Sequence, residues 1–138
     1  MRLDLYYLET ARIAREQTAM LDEAAQRFKQ EHSLSSLEQS GVLHALQVLI
    51  ENAIGKAKQI LKASGEPVPV SAYDAFSALA RCGEIATEQL AQWNAVVGLR
   101  NRIVRDYMNI DMNRVQEWVV NDRYRFVSDF LLASPEQL

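Results

Sequence analysis

The sequence contains a single cysteine, Cys82, in 138 residues. One thiol excludes an internal disulfide framework and a zinc site built from thiolates. Glycine and proline are scarce, at 5 and 3 residues, which argues against a loop-rich all-β fold. A hydrophobic share of 49% with 24% charged residues argues equally against disorder. Long apolar runs are missing too. The longest stretch without a formal charge, Gln39 to Ile50, is too short and too polar to span a bilayer. Charges begin at Arg2 and Asp4, so no secretory leader is expected, and the expected location is the cytoplasm with no membrane attachment. Neither sign of charge dominates: 15 basic against 18 acidic residues leave a formal net charge of -3. Taken as a total, that mild acidity speaks against a nucleic-acid partner.

What the chain does have is helical periodicity almost throughout. In the first segment Leu3, Tyr6, Ile13, Met20, Leu21, Ala24 and Phe28 recur near a 3.6-residue period. The polar stretch around His32 to Ser36 ends it, and Ser36 with Gln39 reads as a capping box for a second helix. That helix carries Leu43, Leu46, Ile50, Ala53, Ile54, Ala57, Ile60 and Leu61 on one stripe, with His44, Gln47, Glu51, Lys58 and Lys62 opposite. Gly65, backed by Pro67 and Pro69, should close it. Ser71 with Asp74 marks the start of a short third helix that Gly83 ends. A fourth is expected from near Thr87 towards Met108. A fifth should begin at the N-cap Asp111 and carry Val115, Trp118, Val119, Phe126 and Phe130. No repeat or linker divides the chain. The expected fold is all-α: a single-domain bundle of four to five helices over residues 1–138, with a tail from about 133.

The fourth helix is unusual. Projected at about 100° per residue, Leu90, Trp93, Val96, Val97, Leu99, Ile103, Val104 and Met108 form an apolar arc. Arg100 and Tyr107 fall within roughly 20° of each other inside that arc, whereas Arg102, Arg105 and Asp106 project to the polar side. A guanidinium stays charged in any protein environment, so Arg100 must meet a carboxylate, a carbonyl or an external anion. Two readings fit: an internal ion pair with an acid such as Glu51, or a phosphate-binding arginine whose planar donor fork suits phosphate oxygens.

The segment Gly98-Leu99-Arg100-Asn101-Arg102-Ile103-Val104-Arg105-Asp106-Tyr107 resembles the signature of HepT-type toxins in the HEPN superfamily of small helical ribonucleases. That signature is an arginine, four residues, a histidine, one residue and a tyrosine. The stretch Ser71 to Phe76, Leu79-Ala80, Gly83 and the turn Asn109-Ile110-Asp111 are similar to the family's flanking context. The resemblance departs at one position, where Arg105 stands in place of the signature's histidine.

The resemblance implies a HEPN-like bundle acting as the toxin of a type VII toxin-antitoxin system. It implies a metal-independent endoribonuclease without cofactor, whose RNA cleft is completed in a homodimer. Its partner would be an MNT-type nucleotidyltransferase antitoxin that adenylylates Tyr107. Arg100 would hold the scissile phosphate and Asn101 would orient it. Arg105 can stabilise charge but cannot exchange protons at neutral pH. The chain as written is therefore expected to bind RNA weakly and to cleave it poorly or not at all. His32 and His44 lie outside the motif. The alternative is a non-catalytic helical module that docks a nucleotidyltransferase. Apolar residues on the first, second and fifth helices beyond a monomer's needs also point to a homodimer.

Overall fold

The computed structural model describes residues 3–30 and 33–133. His32, and the tail residues Ser134 and Pro135, lie outside the described residues. Among the described residues there are six α-helices: α1 (Leu3–Lys29), α2 (Ser36–Ala63), α3 (Ala72–Arg81), α4 (Leu90–Arg105), α5 (Met112–Val120) and α6 (Arg125–Leu132). Short 3-10 turns at Thr87–Gln89 and Tyr107–Asn109 flank α4. None of these helices is long and apolar enough to cross a membrane.

The central element is α2, which packs against α1, α3, α4 and α6. All eight apolar residues expected on its stripe are buried. Its start lies one residue earlier than the sequence suggests. Ser35, not Ser36, is the N-cap, and Glu38 completes the capping box by accepting from the Ser35 amide at 2.9 Å. Gln39 instead donates to the Leu34 carbonyl. At the far end the Gly65 amide donates to Lys62 and the Glu66 amide to Leu61, a Schellman closure that needs the positive φ of Gly65.

Two expectations about faces are corrected. On α1 the buried face is Tyr7, Thr10, Ala14, Thr18, Leu21, Ala24, Ala25 and Phe28, while Met20 is exposed and Tyr6 and Ile13 are only partly covered. Two rows of the helix both look apolar, and only packing against α2, α5 and α6 selects one. The expected fifth helix is two helices. Its break falls at Asp122, whose φ of 61° closes α5 as a glycine would, with the Arg123 amide donating to Trp118. Aspartate tolerates this left-handed conformation better than most residues, so no glycine announces the turn.

The break lets α6 fold back onto α1. Tyr124 donates to Asp22, Arg125 pairs with Asp22 at 2.7 Å and with Asp122 at 3.0 Å, and the buried Thr18 and Ser128 hydroxyls meet at 3.0 Å. Hydrogen bonding from Arg125 holds the Asp122 carboxyl below its ordinary range. Phe76 of α3 stacks on Trp93 of α4 at 4.2 Å between centroids, and Phe126 and Phe130 of α6 close the cluster around that indole. Trp93 thereby fixes the rotation of α4 and decides which of its residues reach the surface.

Candidate functional site

The helix α4 stops at Arg105. Asp106 leaves the helical region with φ −138° and ψ 39°, and its carboxylate accepts from the Asn109 side chain at 2.8 Å. Short polar side chains compete in this way with the helical ladder. Tyr107 is therefore not on α4, and the helical projection that placed it inside the apolar arc fails there. It is 43% exposed, and its hydroxyl donates to the Ser40 hydroxyl of α2 at 2.6 Å. Val104 and Met108, also expected on the apolar arc, are exposed, at 51% and 88%. Trp93, Val96, Val97, Leu99 and Ile103 are buried as the periodicity predicts, and Leu90 is partly covered.

Arg100 lies in the seam between α4 and α2. Its guanidinium comes within 3.9 Å of the Glu51 carboxylate, too far for a hydrogen bond. Its side chain is 24% exposed, yet its Nε is buried and donates to nothing. The ion pair foreseen with Glu51 is thus present only loosely. Buried donors are nearly always satisfied in folded proteins, so this nitrogen, with the buried Trp93 Nε1, is an exception among the described residues.

Asn101 faces α3, where its amide donates to the Tyr73 hydroxyl at 3.5 Å. Arg102 turns to the other side of α4. It lines a groove of about 360 Å³ with Asp106, Arg114, Trp118 and Arg123. Arg105 is exposed at the end of the helix. Arg100 and Tyr107 do not touch; both instead reach α2. Glu51 lies three turns beyond Ser40, roughly 16 Å along the axis at about 1.5 Å per residue. Arg100 precedes Tyr107 while Glu51 follows Ser40, so α4 runs antiparallel to α2. The two motif residues meet α2 at two separate points of the α2–α4 seam. Among the described residues no cluster of His, Cys, Asp and Glu could hold a metal ion. Ser40 and Tyr73 were not legible as site residues, because nothing local in the sequence reports a contact between distant helices.

The family model described as ribonuclease HepT-like matches residues 14–133. The chain belongs to this family. No protein of curated function matches the HepT-like chain by sequence. Among solved structures, the tri-AMPylated HEPN toxin of Shewanella oneidensis in complex with its MNT antitoxin is similar, with a TM-score of 0.77 and 22% identity. The match covers 94% of this chain and 98% of that one. A toxin-antitoxin solved with AMP-PNP gives 0.76 at 21% identity, covering 91% and 97%. A tyrosine-to-alanine mutant of a MntA-HpeT toxin-antitoxin gives 0.65 at 22%, covering 88% and 99%. At these identities the likeness establishes the fold, and the HepT-like chain is HEPN-like and all-α.

Proposed function

We propose that this chain is the toxin of a cytoplasmic toxin-antitoxin pair. In this reading it is a single-domain, metal-independent endoribonuclease that works as a homodimer and is impaired by Arg105. An MNT-type nucleotidyltransferase antitoxin neutralises it by adenylylating Tyr107. The carrying observation is Arg100: a guanidinium set into the α2–α4 seam, 3.9 Å from the Glu51 carboxylate, with a buried Nε that donates to nothing among the described residues. Such a group suits a phosphodiester oxygen. The membership in a family described as ribonuclease HepT-like supports the chemistry, and the toxin-antitoxin complexes of the same fold support the partner.

Replacing Arg100 separates a binding role from a structural one. A loose, partly exposed pair contributes about 0–1 kcal/mol. Arg100→Ala is therefore expected to leave the unfolding free energy within about 1 kcal/mol of wild type. Its Kd for a single-stranded RNA probe should rise about tenfold or more, as loss of a charge-assisted contact of 1.5–3 kcal/mol would give. A loss of about 3–5 kcal/mol in stability with unchanged RNA affinity would instead identify a buried structural pair.

The homodimer is supported by the apolar rim of the cleft. Val104, Met108 and Leu37 are exposed at 51%, 88% and 83%, beside a motif whose position 105 points away from Arg100. A second copy that covers this rim would bring its own motif to the cleft.

Tyr107 presents the acceptor hydroxyl. In adenylylation its phenolic oxygen attacks the α-phosphorus of ATP, the α–β anhydride breaks, pyrophosphate leaves, and the phenol proton passes to solvent. The added phosphate would repel RNA from the cleft. Incubation with the cognate transferase and ATP should add the mass of AMP to the wild-type chain and nothing to Tyr107→Phe. Undiminished modification of Tyr107→Phe would refute the assignment.

A further inference from the structure

We propose that His44 is the proton acceptor for cleavage at the α2–α4 seam, serving where the family signature's histidine has been replaced by Arg105. The inference rests on the ribonuclease reading above and assigns to that site a residue from outside the motif.

Along α2, Ser40, His44, Gln47 and Glu51 follow at intervals of four, three and four residues, so they line one face of the helix within roughly 60°. Ser40 holds the Tyr107 hydroxyl and Glu51 faces Arg100. His44 therefore lies between the two anchors, roughly 6 Å along the axis from Ser40 and roughly 10 Å from Glu51. The α4 residue of the same stretch is Val104, which is exposed and brings no competing polar group.

The other side chains along this line are already occupied or chemically unsuited. Glu51 accepts from the Gln47 amide at 3.3 Å and faces the Arg100 guanidinium. The Tyr107 hydroxyl is engaged in donating to Ser40, and an arginine never gives up its proton. Arg105 projects about 140° away from Arg100 around α4. His44 is exposed and makes no hydrogen bond among the described residues, so both ring nitrogens are available. Imidazole is the side chain suited to take and return a proton near neutrality.

The step balances within the RNA strand. The 2′-hydroxyl proton moves to the His44 imidazole as the 2′-oxygen bonds to the phosphorus held by Arg100. The P–O5′ bond breaks, and the leaving 5′-oxygen takes a proton from water. The imidazolium then returns its proton to solvent, leaving a 2′,3′-cyclic phosphate and a 5′-hydroxyl.

The test uses a fluorophore–quencher single-stranded RNA in EDTA with the full chain, His44→Gln and Arg105→His. The wild-type chain should cleave slowly. The opposite face of α2 is buried and apolar at Val42, Ala45, Leu46 and Leu49. His44→Gln should lose about a hundredfold or more in rate, while binding the probe within about twofold of wild type. Because His44 is exposed, the substitution does not threaten the core, and His44→Asn serves as a second variant. Cleavage by His44→Gln equal to wild type overturns the inference alone. Cleavage by Arg105→His with none by wild type also overturns it, and leaves the ribonuclease reading intact. If neither chain binds or cleaves RNA, the ribonuclease reading falls and the role of His44 falls with it.

Discussion

An Arg105→His variant is expected to cleave RNA about a hundredfold faster than the wild-type chain, or more. General acid–base catalysis contributes about 10²–10⁴-fold, and a guanidinium supplies none of it because it holds its proton at any working pH. Restoring an imidazole at position 105 restores the proton-transfer partner that the family signature carries. The geometry adds a second expectation. Position 105 ends α4 and projects away from Arg100, so in the proposed homodimer an imidazole there would meet the phosphate held by the second copy. The gain should therefore fall on dilution below the dimer's Kd, whereas an effect confined to one chain would be independent of concentration. Cleavage measured across protein concentration, beside sedimentation of the same samples, distinguishes the two. Equal activity in wild type and variant would sink the assignment. An inert variant that still bound a nucleotidyltransferase tightly would favour the non-catalytic docking module.

Lys56→Met should lower the unfolding free energy by about 2–4 kcal/mol at neutral pH, since removing one partner strands buried polar groups at about 1–3 kcal/mol each, partly relieved by losing a buried charge. Lys56 is fully buried, and its ammonium donates to the carbonyls of Phe130 at 2.7 Å and Ala133 at 3.0 Å, with Leu131 at 3.4 Å. It also lies near the rings of Tyr7 and Phe130, at 5.1 and 5.2 Å. One lysine thus ties the C-terminal end of α6 to the middle of α2, where carbonyls have no helical partner of their own. Methionine keeps the volume but leaves those carbonyls bare.

The same residue gives a pH signature. Burial pushes the Lys56 ammonium down to about 8 in the native state, from an ordinary value of 10.5. Between those values the unfolded chain binds the proton that the native chain has released, so this group makes stability rise with pH over about 8 to 10.5. The gap between wild type and Lys56→Met should widen from pH 7 to pH 9.5 in denaturant unfolding, because titration of the tyrosines is common to both proteins. A gap that narrows over that range would show that the ammonium is not desolvated.

The helices were legible because their signals are local. Ser71 with Asp74, Gly65, Gly83 and Asp111 announce ends that the backbone does adopt, and the apolar stripe of α2 is the core it builds. The break at Asp122 was not legible, since only the ion pairs with Arg125 and the docking of α6 on α1 make a left-handed aspartate tolerable there. Lys56 was equally hidden. On a helical wheel it is one more charged residue, and its partners lie more than seventy residues away.

The motif itself divides in the same way. Amino-acid order alone determined that the fourth helix carries Arg100, Asn101, Arg105 and a tyrosine two residues on, and that position 105 cannot exchange protons. Only the tertiary structure decided that the helix stops before Tyr107, that Tyr107 turns to Ser40, and that Arg100 keeps an unpaired donor in the seam. The reason is physical. Helix propensity and capping act over a few residues, whereas the placement of a side chain against a neighbouring helix follows from how the aromatic cluster around Trp93 fixes the rotation of α4, a property of the whole core.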